Sequence, residues 1–126
     1  MPLAIAGVSM GGYGALYHYL KNTDKYACGI ALSPAIRPDR LDESKIGSLR
    51  DLFMENKGKE LNVYLSVGEA DFIIDSSRQL NQFLIENEIG VEYKFIPGKD
   101  HSWYTWAQEV FDVIEYLKNI KFIKGE

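Results

Sequence analysis

Leu3-Ala4-Ile5-Ala6-Gly7-Val8-Ser9-Met10-Gly11-Gly12-Tyr13-Gly14-Ala15-Leu16-Tyr17-His18-Tyr19-Leu20 is the stretch on which the reading of the fold turns. Leu3 to Ala6 is an apolar run of strand character, and beyond Met10 the spacing becomes helical, with Leu16, Tyr19 and Leu20 on one face. Between the two stands Gly7-Val8-Ser9-Met10-Gly11, a Gly-x-Ser-x-Gly pattern. A strand that passes into a helix over so few residues must turn sharply. The turn lifts the Ser9 hydroxyl above the sheet edge on a strained backbone. A side chain at Gly7 or Gly11 is expected to collide with that turn. The bare surface of Gly11, Gly12, Gly14 and Ala15 should let the helix approach the sheet closely.

Outward from this stretch, Asn22-Thr23-Asp24 ends the helix with turn chemistry. Tyr26 to Leu32 is a near-continuous apolar run, as in a strand buried on both faces of a parallel sheet, and Ser33-Pro34 stops it. Pro38 and the charges from Asp39 to Lys45 predict a surface connection, after which Leu49, Leu52 and Phe53 fall at helical spacing. Leu61 to Val67 reads as a third strand, followed directly by Gly68-Glu69-Ala70-Asp71. Ser76 and Gln79 predict a capping box with Ser76 as N-cap, opening an amphipathic helix through Leu80, Phe83 and Leu84 that stops at Gly90. Val91 to Ile96 is the fourth strand, closed by Pro97-Gly98. Trp103, Trp106, Ala107, Val110, Ile114 and Leu117 mark the apolar face of a long last helix, and Lys121 to Glu126 reads as a charged tail that frays. Such alternation predicts the α/β class: about four parallel strands joined by right-handed crossover helices, in a single domain over residues 1–126.

Composition narrows the classes. Of 126 residues 46% are apolar and 13% aromatic, which fits a folded core and argues against disorder. The formal charge of −4 comes with no basic stripe, so nucleic-acid binding has no support. Cys28 is the single cysteine, lies in an apolar run and reads as a buried reduced thiol. No segment reaches membrane-spanning length and Met1-Pro2-Leu3 carries no basic export signal, so the expectation is a cytoplasmic protein without membrane contact.

In open parallel sheets, reactive groups gather beyond the carboxyl ends of the strands. Three candidates fall there: Ser9 after the first strand, Asp71 after the third and His101 after the fourth. Their chemistry is complementary. Ser9 would attack an acyl carbon, His101 would take its proton and return it to the leaving group, and Asp71 would hold the imidazole tautomer. The Met10 backbone N–H, at the helix start, would donate to the oxyanion. Asp71 is preferred as the acid because it follows its strand directly, but Asp75 lies close enough to serve instead. His18, over two turns into the first helix, reads as structural or exposed, and Trp103 and Trp106 as helix-packing residues. Two histidines far apart and no cysteine cluster give no metal-ligand spacing.

At these residues the sequence resembles a known family. Gly7-Val8-Ser9-Met10-Gly11-Gly12-Tyr13-Gly14-Ala15 is similar to the nucleophile elbow of the esterase D and tributyrin esterase group of α/β-hydrolases. That group includes S-formylglutathione hydrolases and feruloyl esterases. Gly68-Glu69-Ala70-Asp71-Phe72 resembles its acid loop, and Pro97-Gly98-Lys99-Asp100-His101-Ser102-Trp103-Tyr104-Thr105-Trp106 its histidine loop. The resemblance implies a Ser9-His101-Asp71 triad that hydrolyses short-chain acyl esters without a cofactor, with the tributyrin-esterase branch nearest.

It also implies a partial α/β-hydrolase fold, the C-terminal part from the elbow strand onward, without the N-terminal strands and the loop that supplies a second oxyanion donor. A truncated reading frame, a cloned fragment and the partner of a separate N-terminal chain all fit. A serine carboxylesterase impaired by the missing part is therefore expected. The alternative is a catalytically silent hydrolase fragment serving as a folding or assembly module, and a binding protein on a hydrolase scaffold is a weaker third. An elbow strand without its neighbour is an association template, so a homodimer or a separate N-terminal half is expected on that edge.

Overall fold

The computed structural model describes residues 3–36 and 49–123. Its centre is formed by the two most apolar runs, β2 (Tyr26–Leu32) and β3 (Val63–Gly68), which lie side by side in parallel. All of β3 and the last five residues of β2 are buried. β1 (Leu3–Val8) pairs in parallel with the free side of β2, and β4 (Glu92–Ile96) with that of β3, giving the order β1-β2-β3-β4. The register sets Val8 beside Leu32 and Leu32 beside Ser66, so the residues that follow β1 and β2 emerge together at one sheet edge.

Strand order equal to chain order dictates where the helices go. Each right-handed crossover steps in the same direction, so α1 (Met10–Lys21), α2 (Leu49–Glu55) and α3 (Ile74–Glu86) share one face. There Leu16, Tyr19, Leu49, Phe53, Leu80 and Leu84 pack on Ala31, Val63 and Leu65. Gly29 makes room for this packing, because a Cβ there would lie 2.8 Å from that of Tyr19. α4 (Trp103–Asn119), which follows the last strand, covers the opposite face, where Trp106 and Tyr116 meet Cys28, Ile30, Leu32 and Tyr64. The two-residue alternation of strand side chains thus feeds two cores. Cys28 is fully buried, and burial pushes its thiol above the ordinary cysteine range. Among the described residues no helix is long and apolar enough to cross a membrane.

The structure departs from expectation at several places. α3 begins at Ile74 with Ile73 as its N-cap, so Ser76 is a helix-interior residue and not the cap. Its buried hydroxyl lies within donating reach of the carbonyls of Ile36 and Ile73. The apolar face of α4 is only partly covered: Trp106 and Tyr116 are buried, whereas Trp103, Ala107, Val110 and Ile114 are exposed. A Cβ at Gly11 or Gly14 would meet nothing within 4 Å, so neither glycine is required by a close approach among the described residues. Gly12 is, because its Cβ would lie 2.9 Å from Pro34 Cα. In the tail, Phe122 folds back on the α4 core, its N–H donating to the Leu117 carbonyl at 2.8 Å. The surface connection expected from Pro38 to Lys45 lies outside the described residues, as do residues 124–126.

Candidate active site

Ser9 stands between β1 and α1 with φ 55° and ψ −120°, a conformation that L residues rarely adopt and that costs about 1–3 kcal/mol. Its backbone is tied on both sides. The Ser9 N–H donates to the Leu32 carbonyl at 3.0 Å, and the Ser9 carbonyl accepts from Gly12 at 2.9 Å and Ala35 at 2.8 Å. Gly7 is required here, since a Cβ would fall 2.1 Å from the Gly11 carbonyl oxygen. The sharp turn and the need for Gly7 match the sequence reading, and the clash expected at Gly11 does not occur.

The structure brings Ser9, His101 and Asp71 together. Ser9 Oγ lies 2.9 Å from His101 Nε2, and His101 Nδ1 lies 2.8 Å from Asp71 Oδ2. In the tautomer whose Nδ1–H donates to the Asp71 carboxylate, Nε2 is left to accept from the Ser9 hydroxyl. Asp71 is 2% exposed, and its second oxygen accepts the Ile73 N–H at 3.0 Å. Asp75 lies exposed in the first turn of α3. His18 is exposed near the end of α1, where its ring meets Tyr17. Met10 occupies the first position of α1, where helix geometry supplies no carbonyl four residues back for its N–H. Among the described residues no group of three or more His, Cys, Asp or Glu converges as a metal site.

The loops after β3 and β4 brace each other. The Ala70 N–H donates to the Lys99 carbonyl at 2.8 Å, Glu69 N–H to Ile96 at 2.8 Å, and Gly98 N–H to the Glu69 carboxylate at 3.0 Å. Gly68 permits the contact: a Cβ there would lie 2.2 Å from the Lys99 oxygen. Beyond His101, Ser102 caps α4, accepting from the Thr105 N–H and donating to Asp100 at 2.6 Å. The Ser102 hydroxyl, with Thr105 behind it, holds the Asp100 carboxyl below the usual aspartate range.

Two rings touch the His101 imidazole. Phe72, 78% exposed, lies at 4.8 Å between centroids, and the buried Trp106 at 5.0 Å in a perpendicular arrangement. The Trp106 indole N–H donates to Ser33 Oγ at 2.9 Å. Gly68, Phe72, Ser33 and Trp106 were not singled out as site residues by their sequence. The signals available were a glycine opening the acid loop and a tryptophan five residues beyond the histidine.

Below the strand ends, α4 leaves an apolar groove of about 330 Å³ beside β1, lined by Ala6, Val8, Ile30, Leu32, Val110 and Ile114 among others. Val8, Leu32 and Val110 also border a smaller apolar cavity against Trp103 and Trp106.

The chain is similar to known proteins in fold and in sequence. The fold matches the S-formylglutathione hydrolase of Staphylococcus aureus with a TM-score of 0.76 at 22% identity, over 90% of this chain and 50% of that one. In sequence the chain is 28% identical to an acetyl esterase of Caldicellulosiruptor saccharolyticus, covering 92% of this chain and 54% of the relative. It is also 28% identical to the S-formylglutathione hydrolase of Bos taurus, covering 90% and 47%. The chain thus spans about half the length of the curated relatives it matches. The family described as "Putative esterase" matches residues 2–116, and the chain belongs to that esterase family.

Proposed function

We propose that this chain carries the catalytic serine, histidine and acid of a serine carboxylesterase acting on short-chain acyl esters. The observation that carries the reading is the continuous relay Ser9 Oγ, His101 Nε2, His101 Nδ1 and Asp71 Oδ2, with links of 2.9 and 2.8 Å. His101 accepts the Ser9 proton as the hydroxyl oxygen attacks the acyl carbon, and the Met10 N–H donates to the oxyanion that forms. The same proton then passes from His101 to the leaving alcohol. Water repeats the sequence on the acyl-Ser9 intermediate and releases the acid. Asp71 stays ionised and stabilises the imidazolium. The names of the acetyl esterase and S-formylglutathione hydrolase relatives support a small acyl group.

The test is an active-site-directed fluorophosphonate. Covalent labelling of Ser9 is expected in the parent chain and absent in Ser9→Ala and His101→Ala. A folded parent that takes up no label would favour the second reading, a silent hydrolase fragment serving as an assembly module. The exposed groove beside β1 is the observation that favours that reading.

The partner follows from the same surface. β1 has β2 as its only paired neighbour among the described residues, and Leu3, Val110 and Ile114 are exposed beside it. The relatives are about twice as long as this chain. We propose that a polypeptide equivalent to the remainder of such a relative covers the groove and the β1 edge, in cis or in trans. Light scattering at micromolar concentration should show association of the isolated chain that is relieved by that polypeptide. A homodimer unaffected by it would replace the proposed occupant with a second copy, and a stable monomer indifferent to it would end the proposal.

A further inference from the structure

We propose that Trp106 and Ser33 form a positioning pair that fixes the His101 ring, an inference that rests on the triad reading. The His101 imidazole has two hydrogen bonds to hold it, one to Asp71 and one to Ser9. The second cannot persist through the reaction, because Ser9 loses its hydroxyl hydrogen when it is acylated. From then on Asp71 alone would hold the ring by hydrogen bonding, and a single bond leaves it free to rock. The perpendicular contact with Trp106 at 5.0 Å restricts that motion. Phe72 is a poorer restraint, being mostly exposed.

Trp106 acts only if it is itself fixed. A buried indole N–H needs an acceptor, and the acceptor is Ser33 Oγ, 73 residues away at the end of β2. Ser33 is 1% exposed and sits at φ 47°, the left-handed region in which glycine is at ease and serine is not. Its backbone N–H donates to the Ser66 carbonyl at 2.8 Å. A hydroxyl is thus held where local conformation alone favours glycine. The hydroxyl's partner is the ring that touches His101. Two residues on, the Ala35 N–H donates to the carbonyl of Ser9 at 2.8 Å, so the turn after β2 supports both the nucleophile and the base.

The test separates positioning from stability. Ser33→Gly removes the acceptor and relieves the left-handed backbone, and Trp106→Phe keeps a ring and removes the donor. The chain has two histidines, and His18 is exposed, so histidine-labelled NMR resolves His101 against an internal reference. In the parent, His101 should show one tautomer and a downfield Nδ1–H protected from exchange. Ser33→Gly and Trp106→Phe should each broaden or lose that resonance while the chain remains folded by circular dichroism, and the double variant should lose no more than either alone. Variants with the parental His101 spectrum, whatever their melting temperatures, would overturn the proposal. A parent that already averages its tautomers would overturn the triad reading and the proposal together, a different result from variants that match an ordered parent.

Discussion

Ser9 holds a conformation that costs about 1–3 kcal/mol, and the glycines around it divide into those that permit the turn and those that merely occupy it. Gly7 belongs to the first kind, with a Cβ position 2.1 Å from the Gly11 carbonyl oxygen. Backbone cannot yield as a side-chain tip can, so Gly7→Ala should destabilise the chain by about 1–3 kcal/mol or more. Gly11 belongs to the second, with open space where its Cβ would stand. Gly11→Ala should leave stability unchanged or raise it by up to about 1 kcal/mol, as alanine replaces glycine in a helix. Urea midpoints of the two variants check the contrast, and equal losses would contradict it. The Gly-x-Ser-x-Gly spacing marks the turn in the sequence. Which glycine the turn requires depends on backbone crossings that the spacing does not encode.

Among the elements, the strands were legible because β2 carries apolar residues on both faces, as in a buried parallel strand, and the stretch from Leu61 to Val67 alternates. Asp71 was legible as a candidate because it follows the β3 run directly, and His101 because it lies in the loop after β4. The start of α3 was not. Ser76 and Gln79 have capping-box spacing, but the N-cap is Ile73, three residues before Ser76, in the turn that Asp71 itself organises through the Ile73 N–H. Local propensity yielded there to the acid loop. α4 was misread in a related way. Its expected apolar stripe is partly exposed, while Glu109, unremarked in the sequence, is 3% exposed beneath it. Glu109 accepts from Tyr64 Oη at 2.9 Å and pairs with Lys94 at 3.5 Å, and Lys94 also binds Asp112. These partners lie on other elements, 15 and 45 residues away in the chain, beyond the reach of periodicity.

Burial raises the Glu109 carboxyl above the ordinary glutamate range, against the pull of Tyr64 and Lys94. The folded state therefore holds the Glu109 proton more tightly than the unfolded state does. Its contribution to stability is full below the unfolded pKa and is lost as pH rises through the folded one. Asp112, held low by Lys94, titrates in the opposite sense, so the informative comparison is between variant and parent. Glu109→Gln keeps an acceptor for Tyr64 and cannot ionise. It should flatten the part of the decline in melting temperature, as pH rises above the ordinary glutamate range, that Glu109 causes. Parallel profiles for variant and parent would show that the buried carboxyl does not govern this dependence.

At the scale of the whole molecule, the chain spans about half the length of the relatives it matches, and the proposed acyl transfer is tested against that difference. The proposed reading gives the oxyanion one donor among the described residues, the Met10 N–H, and a site short of one such donor loses roughly 10²–10³-fold in turnover. The isolated chain should therefore hydrolyse p-nitrophenyl acetate weakly. Addition of a polypeptide equivalent to the rest of a relative should raise the rate by about that factor. Undiminished turnover by the chain alone would mean that a group within it already supplies the second donor.

Strand order that follows chain order also governs how long the arrangement lasts once formed. β2 and β3 are each zipped on two sides, and β4 is anchored through Lys94 to α4. Among the described residues β1, like β4, is zipped on one side, and half of its residues are exposed. Opening of a sheet starts at its edges, where few partners must be released, and β1, the strand that leads into Ser9, is one of the two. When β1 detaches, the Ser9 N–H leaves Leu32 and the strained turn relaxes, although His101 and Asp71 stay together on the far strands. The contact between Ser9 and His101 then has a duty cycle, set by the closing equilibrium of the six residues of β1. Hydrogen–deuterium exchange should find the β1 amides bonded to β2 exchanging well before those of β2 and β3, and slowing when a strand is added at the open edge. Uniform protection across the three would mean that the serine is held as firmly as the core.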